Sequence, residues 1–367
     1  MAPSSSRVGL RSINPQPVRP RRMQRTVADL RPRVNPGDAQ ECYPESGNGF
    51  MADHHVAVGI ALLVVTVLFI AWRYFRHPRR PLPARGWAGF GIVLLAEALL
   101  FLHSGWFISV YFTPIVWTGY ILLVDGLVAS LRGDSRISRS PGGFLALAFW
   151  SIPLWLIFEA YNLRLANWVY VGMPLSPLVD YLGYAWAFST IWPGIYETAD
   201  LLEALGFFAG RLRPRPPSSA GFRRLAALVG LLMVAVPVLV PARIGGYLFG
   251  PVWVGFILLL DPVLYAWNGE SLLRDWECGL YTRLGCLLGA GWVCGILWEF
   301  WNYWAGARWL YVFPIGQGWK IFQMPAPGFA GFPPFAVECW VLFETLRTVR
   351  GRLTAASRQP ELAHTRV

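Results

Sequence analysis

Long apolar runs, separated by short stretches that carry arginine, dominate this chain from residue 51 onwards. A run of about 20 apolar residues forms a helix long enough to cross a bilayer. The pattern predicts about nine such helices, at residues 55–75, 86–109, 114–131, 143–162, 181–209, 223–242, 247–267, 283–304 and 329–347. We therefore predict an all-α polytopic membrane protein, with one leader helix followed by two parallel four-helix repeats.

The repeat is visible as strings that return after 136 to 141 residues. WTGYILLVD, which ends at Asp125, returns as WVGFILLLD, which ends at Asp261. FEAYN followed by WVYVGMP returns as WEFWN followed by WLYVFP, and PGIYETADLLE returns as PFAVECWVLFE. Because each copy has an even number of helices, both copies enter the membrane from the same side. The two halves are thus predicted to be related by an axis along the membrane normal.

The repeat also sets the predicted domain boundaries. These are a leader at 1–50, the first transmembrane helix with a basic cytoplasmic loop at 51–85, repeat 1 at 86–212, repeat 2 at 222–350 and a cytoplasmic tail at 351–367. The leader is rich in Arg, Pro and Ser, and its arginines would lie on the wrong side of the membrane. We expect translation to begin at Met51; the alternative is a disordered N-terminal extension that is cleaved.

Composition and charge support a membrane location and predict the orientation. Hydrophobic residues make up 55% of the chain and charged residues 14%, which is outside the range of soluble proteins. Cytoplasmic loops hold the excess of Lys and Arg, and after residue 51 only Arg164, Arg243, Arg308 and Lys320 fall on the other side. We predict a bacterial-type plasma-membrane protein with its N-terminus outside and its C-terminus in the cytoplasm. The net charge of +11 is explained by this topology, so no nucleic-acid partner is expected.

Six matched acids interrupt the apolar runs, and we predict that they are catalytic: Asp125, Glu159, Glu197, Asp261, Glu299 and Glu338. At about 2.5 to 3.5 kcal/mol for each acid, lipid exposure of all six would cost roughly 15 to 20 kcal/mol. That exceeds the usual net stability of a domain. We expect the six acids to lie together in the outer half of the membrane. Both aspartates are expected near the middle of the bilayer. No Lys or Arg within the apolar runs is available to neutralise the acids.

Matched polar and aromatic residues accompany these acids. We predict that six of them bind substrate: Asn162, Asn302, Trp168, Trp309, Tyr170 and Tyr311. An aromatic wall beside carboxylates can stabilise a carbocation that forms on an apolar substrate. The chain has 5 cysteines and 5 histidines, without metal-ligand spacing, so neither a metal site nor a cofactor is predicted.

The string SIPLWLIFEAYNLRLANWVYVGMP, followed by WPGIYETADLLE, resembles the repeat of the membrane-embedded lycopene cyclase domains of the heterodimeric or fused type. The resemblance implies an enzyme that cyclises the ends of a linear carotenoid by protonation and deprotonation, without net redox change. It also implies that Glu159 and Glu299 match the first acidic position of the family, and that Glu197 and Glu338 match the second. The family's second motif usually carries two adjacent glutamates, whereas this chain has single acids there.

Three functions are compatible with the pattern. The leading hypothesis is an integral membrane enzyme that acts on a lipid-soluble isoprenoid, with membrane lipids as its surroundings. The alternatives are a proton- or cation-coupled transporter that uses the same carboxylates, and a non-enzymatic accessory protein. An enzyme for an apolar substrate requires an aromatic chamber, a transporter requires polar access from both aqueous sides, and an accessory protein could have a solid helical core. The sequence does not set the oligomeric state.

Overall fold

The computed structural model of the protein describes residues 49–174 and 176–364. The predictions for the leader, residues 1–50, therefore fall almost wholly outside the described residues. The elements, in chain order, are α1 (Gly49–Arg76), α2 (Ala84–Phe101), α3 (Trp106–Arg132), α4 (Arg136–Arg139), α5 (Pro141–Leu165), β1 (Trp168–Val171), α6 (Pro177–Ser189), α7 (Ile191–Ala204), α8 (Ala220–Leu239), α9 (Ala242–Gly245), α10 (Phe249–Ala266), α11 (Leu272–Glu277), α12 (Thr282–Trp304), β2 (Arg308–Tyr311), β3 (Lys320–Ile321), β4 (Met324–Pro325), a 3₁₀ segment (Ala326–Gly331) and α13 (Phe332–His364).

Seven helices within the described chain are long and apolar enough to cross a membrane, by length and composition: α1 from His54, α2, α3, α5, α8, α10 and α12. Several of them expose large apolar side chains outward, among them Val65, Phe149 and Leu225. An apolar surface of this kind is suited to lipid contact rather than to water. The structure thus agrees with the prediction of a mostly helical membrane protein.

The predicted run at 181–209 is divided into the two short helices α6 and α7, which meet at Thr190. Proline has no amide hydrogen and leaves the carbonyl four residues earlier without its helical partner. Pro193 has this effect on Ser189, the last residue of α6. In the second half, Pro334 lies in the first turn of α13, after the 3₁₀ segment, so the break there falls before the helix instead of inside it.

Two pairs of long helices pack through glycine in the same way. A Cβ atom added at Gly89 of α2 would lie 2.3 Å from the main-chain nitrogen of Leu123 in α3. A Cβ atom added at Gly230 of α8 would lie 2.3 Å from the main-chain nitrogen of Leu259 in α10. The helices of each pair therefore approach as closely as their backbones allow, which is typical of helix packing in membranes.

The segments that follow α5 and α12 form a two-stranded antiparallel ribbon, β1 with β2, that was not predicted from the sequence. Trp168 pairs with Tyr311, Val169 with Leu310, and Tyr170 with Trp309. The strand after each FEAYN-like string is thus bonded to its counterpart from the other half of the chain. A second, shorter pair, β3 with β4, follows in the same loop.

We predict that Gly89→Ala lowers the thermal unfolding midpoint of the detergent-extracted protein, and that Gly230→Ala does the same. The added methyl group must push backbone away, and overpacking of this kind costs about 1 to 3 kcal/mol. Gly91→Ala is the control, because a Cβ atom at Gly91 meets nothing within 4 Å. Equal midpoints for all three variants, measured by fluorescence-detected gel filtration, would contradict the close approach.

Candidate functional site

A partly open cavity of about 140 Å³ lies between residues of both halves of the chain. Its lining comes from α3, α5, β1 and α6 on one side and from α10, α12, β2 and α13 on the other, and it is predominantly apolar. The aromatic lining residues are Tyr111, Trp117, Trp155, Trp168, Tyr170, Tyr184, Phe188, Trp253, Trp298, Trp309, Tyr311, Phe332 and Phe335. The shape and composition are typical of a site for a small apolar molecule.

The ribbon provides one wall of this cavity. Alternate residues of a strand face the same side, so Trp168 and Tyr170 of β1 share a face with Trp309 and Tyr311 of β2. All four line the cavity. The structure therefore brings together the four aromatic residues that the sequence predicted as substrate-binding, and Tyr170 and Tyr311 are diagonal neighbours at about 7 to 8 Å.

A buried glutamate stands behind each ribbon tyrosine. The Tyr170 hydroxyl donates to Glu159 Oε1 at 2.5 Å, and the indole of Trp155 donates to the same oxygen at 2.9 Å. In the second half the Tyr311 hydroxyl donates to Glu299 Oε1 at 2.7 Å. Glu159 and Glu299 are thus each one hydrogen bond away from a residue that lines the cavity.

The ribbon tyrosines keep their protons at neutral pH. Burial raises the pKa of Tyr170 well above its usual value, and the charge of Glu159 adds to this effect. Burial followed by the charge of Glu299 has the same effect on the pKa of Tyr311. In each pair a neutral hydroxyl therefore lies between the glutamate and the cavity, where it can both accept and donate a proton.

The predicted ligand-binding asparagines hold the ribbon in place. The Asn162 side chain donates to the Trp168 carbonyl at 2.8 Å and accepts from the Trp168 amide at 3.0 Å. Asn302 makes the same two bonds to Trp309, both at 2.9 Å. Neither asparagine lines the cavity. Their side-chain amides are hydrogen-bonded to main-chain groups, so the structure gives both asparagines a positioning role. Direct contact with a ligand stays a prediction.

The predicted catalytic aspartates hold the loops that carry arginine. Asp125 accepts from Arg85 Nε at 2.5 Å and from the Ile137 amide, at α4, at 3.0 Å. Asp261 accepts from the amides of Leu272 and Leu273, at the start of α11, at 2.7 and 3.0 Å. Asp125 thus has a cationic partner, Arg85, which lies just before the predicted apolar run at 86–109. The donors to Asp261 come from main chain, and the depth of both aspartates in the membrane stays a prediction.

Glu197 and Glu338 are fully buried, on α7 and α13, and do not line the cavity. Glu338 Oε1 accepts from the main-chain amide of Phe256 at 3.1 Å. Within the described chain the Glu197 carboxylate has no hydrogen-bond partner, and the charged groups around it include Asp125 and Arg136. The structure thus divides the six acids into three matched pairs and does not pool them in one site.

Several cavity residues were missed by sequence reasoning. Trp117 and Trp253 begin the repeated WTGY and WVGF strings, and this match was the signal that could have identified them. Trp155 and the buried carboxylate Asp180 have no such signal, because glycine and isoleucine occupy the corresponding positions in the second half. Among residues 49–174 and 176–364, no three His, Cys, Asp or Glu side chains are placed to share a metal ion.

Comparison of the chain with protein-family models, with curated proteins and with solved structures found no match. The resemblance to lycopene cyclase domains therefore rests on the quoted strings alone. The functional proposal has to rest on the geometry of the cavity.

We predict that Asn302→Ala lowers the free energy of unfolding by about 1 to 3 kcal/mol, because it removes the buried side chain that bonds both main-chain groups of Trp309. Asn162→Ala should have a similar effect, since its bonds match. Gln317→Ala is the control, because Gln317 also donates to carbonyls of this loop but is only half-buried. Thermal unfolding of the purified variants tests this; a loss no larger than that of Gln317→Ala would exclude the positioning role.

Proposed function

We propose that this protein is an integral membrane enzyme that acts on a lipid-soluble isoprenoid in the aromatic cavity by acid–base chemistry. One observation carries the proposal: two tyrosine–glutamate pairs, Tyr170 with Glu159 and Tyr311 with Glu299, come from matched positions and meet at one aromatic wall. An apolar chamber with a small number of convergent proton-transfer groups suits an apolar substrate better than it suits an ion.

We further propose the architecture that places this site. Helices α6 and α7 together, and the first part of α13, would add two crossings to the seven candidate spans, giving nine in total. The halves would be parallel repeats related by a two-fold axis along the membrane normal. The ribbon register supports this, because Trp168 with Tyr311 and Tyr170 with Trp309 is a self-complementary pairing, as two-fold symmetry requires. The arginine distribution favours an external N-terminus and a cytoplasmic C-terminus.

The two pairs differ in their surroundings. Glu159 accepts from Tyr170 and from the Trp155 indole of its own helix. Glu299 accepts from Tyr311, whose own oxygen accepts from the Trp309 indole at 2.8 Å. We propose that the Glu159 pair accepts the proton and that the Glu299 pair donates it.

The proposed reaction balances without a redox partner. For this step Glu299 holds a proton and is the donor in its hydrogen bond with Tyr311, so that the Tyr311 O–H points at the substrate. Glu299 then passes its proton to the Tyr311 oxygen while the Tyr311 hydroxyl gives its own proton to a substrate alkene carbon. The alkene electron pair forms the new C–H bond, and the carbocation that results is stabilised by the aromatic wall. Attack by a second alkene would close a ring, as in the cyclase that the sequence resembles. Loss of a neighbouring proton through Tyr170 to Glu159 then restores a double bond.

The other two hypotheses have less support. A proton or cation pathway needs polar groups that reach both aqueous sides, whereas Glu197 and Glu338 lie packed between helices and away from the cavity. An accessory role is favoured by one observation, that Asp125 and Asp261 are hydrogen-bonded parts of the scaffold. The cavity next to the Glu159 and Glu299 pairs favours an enzyme over an accessory protein.

We predict that the full chain, expressed in bacteria that accumulate lycopene, converts this pigment to cyclised products. Glu299→Gln and Tyr311→Phe should each reduce conversion by at least about 100-fold, because general acid–base groups contribute about 10² to 10⁴ in rate. Glu159→Gln and Tyr170→Phe should do likewise. Pigment extraction and chromatography provide the measurement.

Glu203→Gln is the matched control for these variants, since Glu203 is exposed and, within the described residues, forms its ion pair with Arg132 at the end of α3. Conversion should remain near the wild-type level in this variant. Unchanged pigment with the wild-type chain, verified as folded, would remove the carotenoid cyclase assignment. Full activity in Glu159→Gln or Glu299→Gln would show that the two halves do not share one site.

A different outcome is expected for the aspartates. Asp261→Asn should reduce the amount of folded protein, because a neutral amide holds the α11 amides less strongly, but should leave conversion per folded molecule within about twofold. Asp125→Asn should behave in the same way through its loss of the Arg85 ion pair. Folded protein is quantified by gel filtration alongside the pigment yield, which separates an effect on folding from an effect on conversion. A loss of conversion without a loss of folded protein would show that the aspartates take part in catalysis.

A further inference from the structure

The cavity carries buried hydrogen-bond donors that the protein itself does not satisfy. The indole nitrogens of Trp117 and Trp253 are buried and, within the described chain, have no hydrogen-bond partner. The Thr113 hydroxyl and the Arg308 Nε are in the same situation. All four residues line the cavity.

Such groups are rare in folded proteins. Most buried donors find a partner, and each exception calls for an explanation such as an ion, a water or a ligand. Trp192 shows how this protein treats a buried indole elsewhere, since its N–H donates to the Cys339 carbonyl at 2.8 Å. The Trp192 indole is away from the cavity, whereas the indoles of Trp117 and Trp253, which have no partner within the described chain, line it.

The charge of the lining restricts what the donors could bind. One cation, Arg308, and one carboxylate, Asp180, line the cavity. These opposite charges leave little net positive potential for a phosphate or diphosphate, which would need an excess of basic groups. A pure hydrocarbon, in turn, would leave all four donors unpaired.

We infer that the cavity binds a neutral isoprenoid that carries a hydrogen-bond-accepting oxygen, such as a carbonyl or hydroxyl group, and that the indole N–H groups of Trp117 and Trp253 recognise this oxygen. The inference rests on the proposed function for the use of the cavity by an isoprenoid. It places an oxygen on the preferred substrate, so a pure hydrocarbon such as lycopene is expected to be converted more slowly than an oxygenated isoprenoid.

The test compares three tritiated probes on the full chain in lipid nanodiscs: farnesylacetone, which is a ketone, β-farnesene, which is a hydrocarbon, and farnesyl diphosphate. We expect the ketone to bind at least about tenfold more tightly than the hydrocarbon, a difference of about 1.4 kcal/mol. Trp117→Phe should reduce this preference and leave hydrocarbon binding within about twofold. Trp253→Phe, at a half-buried position, serves if Trp117→Phe does not fold.

Trp192→Phe is the matched control, because it removes a buried indole whose N–H is already bonded to main chain. It should keep the ketone preference even if it lowers stability. Equal binding of ketone and hydrocarbon would overturn the inference and would indicate that water is the partner of the buried donors. This outcome would leave the proposed function intact. Tighter binding of the diphosphate would overturn the neutral-ligand assignment. If no probe binds, both the inference and the proposed isoprenoid site are wrong.

Discussion

The positions of the loops and of the ribbon depend on one constraint. A carboxylate within an apolar helix must receive its hydrogen-bond donors from the protein. The chain meets this constraint in matched ways. Asp125 and Asp261 take main-chain amides from the short helices that follow them, and thereby hold the loops against the helix ends. Glu159 and Glu299 take tyrosine hydroxyls from the ribbon. An acid that is costly to bury thus becomes an attachment point for the next segment of the chain.

Among the structures that follow from this constraint, the ribbon matters most for the proposed function. Asn162 and Asn302 bond to both main-chain groups of the tryptophan that begins each aromatic string, so each strand is fixed to the end of its own helix. The strands then satisfy their remaining main-chain groups by pairing with one another. Because side chains alternate along a strand, this pairing places four aromatic residues on one face. The cavity wall therefore results from the way in which the main-chain hydrogen-bonding groups at two helix ends find their partners.

The sequence predicted the long helices well, since runs of about 20 apolar residues have few alternative structures in a membrane. It did not predict the ribbon, because four residues such as Trp168–Val171 cannot be distinguished from interfacial aromatics until their partner strand is known. The ion pair of Asp125 with Arg85 was not predicted for a related reason. Periodicity places Asp125 on an apolar helix, but whether Arg85 folds back to reach it depends on the tight α2–α3 contact at Gly89.

One difference between the two halves of the chain lies beside the cavity. The position of Trp155 is occupied in the second half by Gly295, where a side chain would clash with the ring of Phe332. Glu159 therefore accepts from an indole of its own helix, while the second half has an aromatic ring from α13 in that space. Elsewhere the geometry is kept, as Asn162 and Asn302 show. Under the proposed function, two unequal pairs at one cavity suit a reaction that both gives and takes a proton.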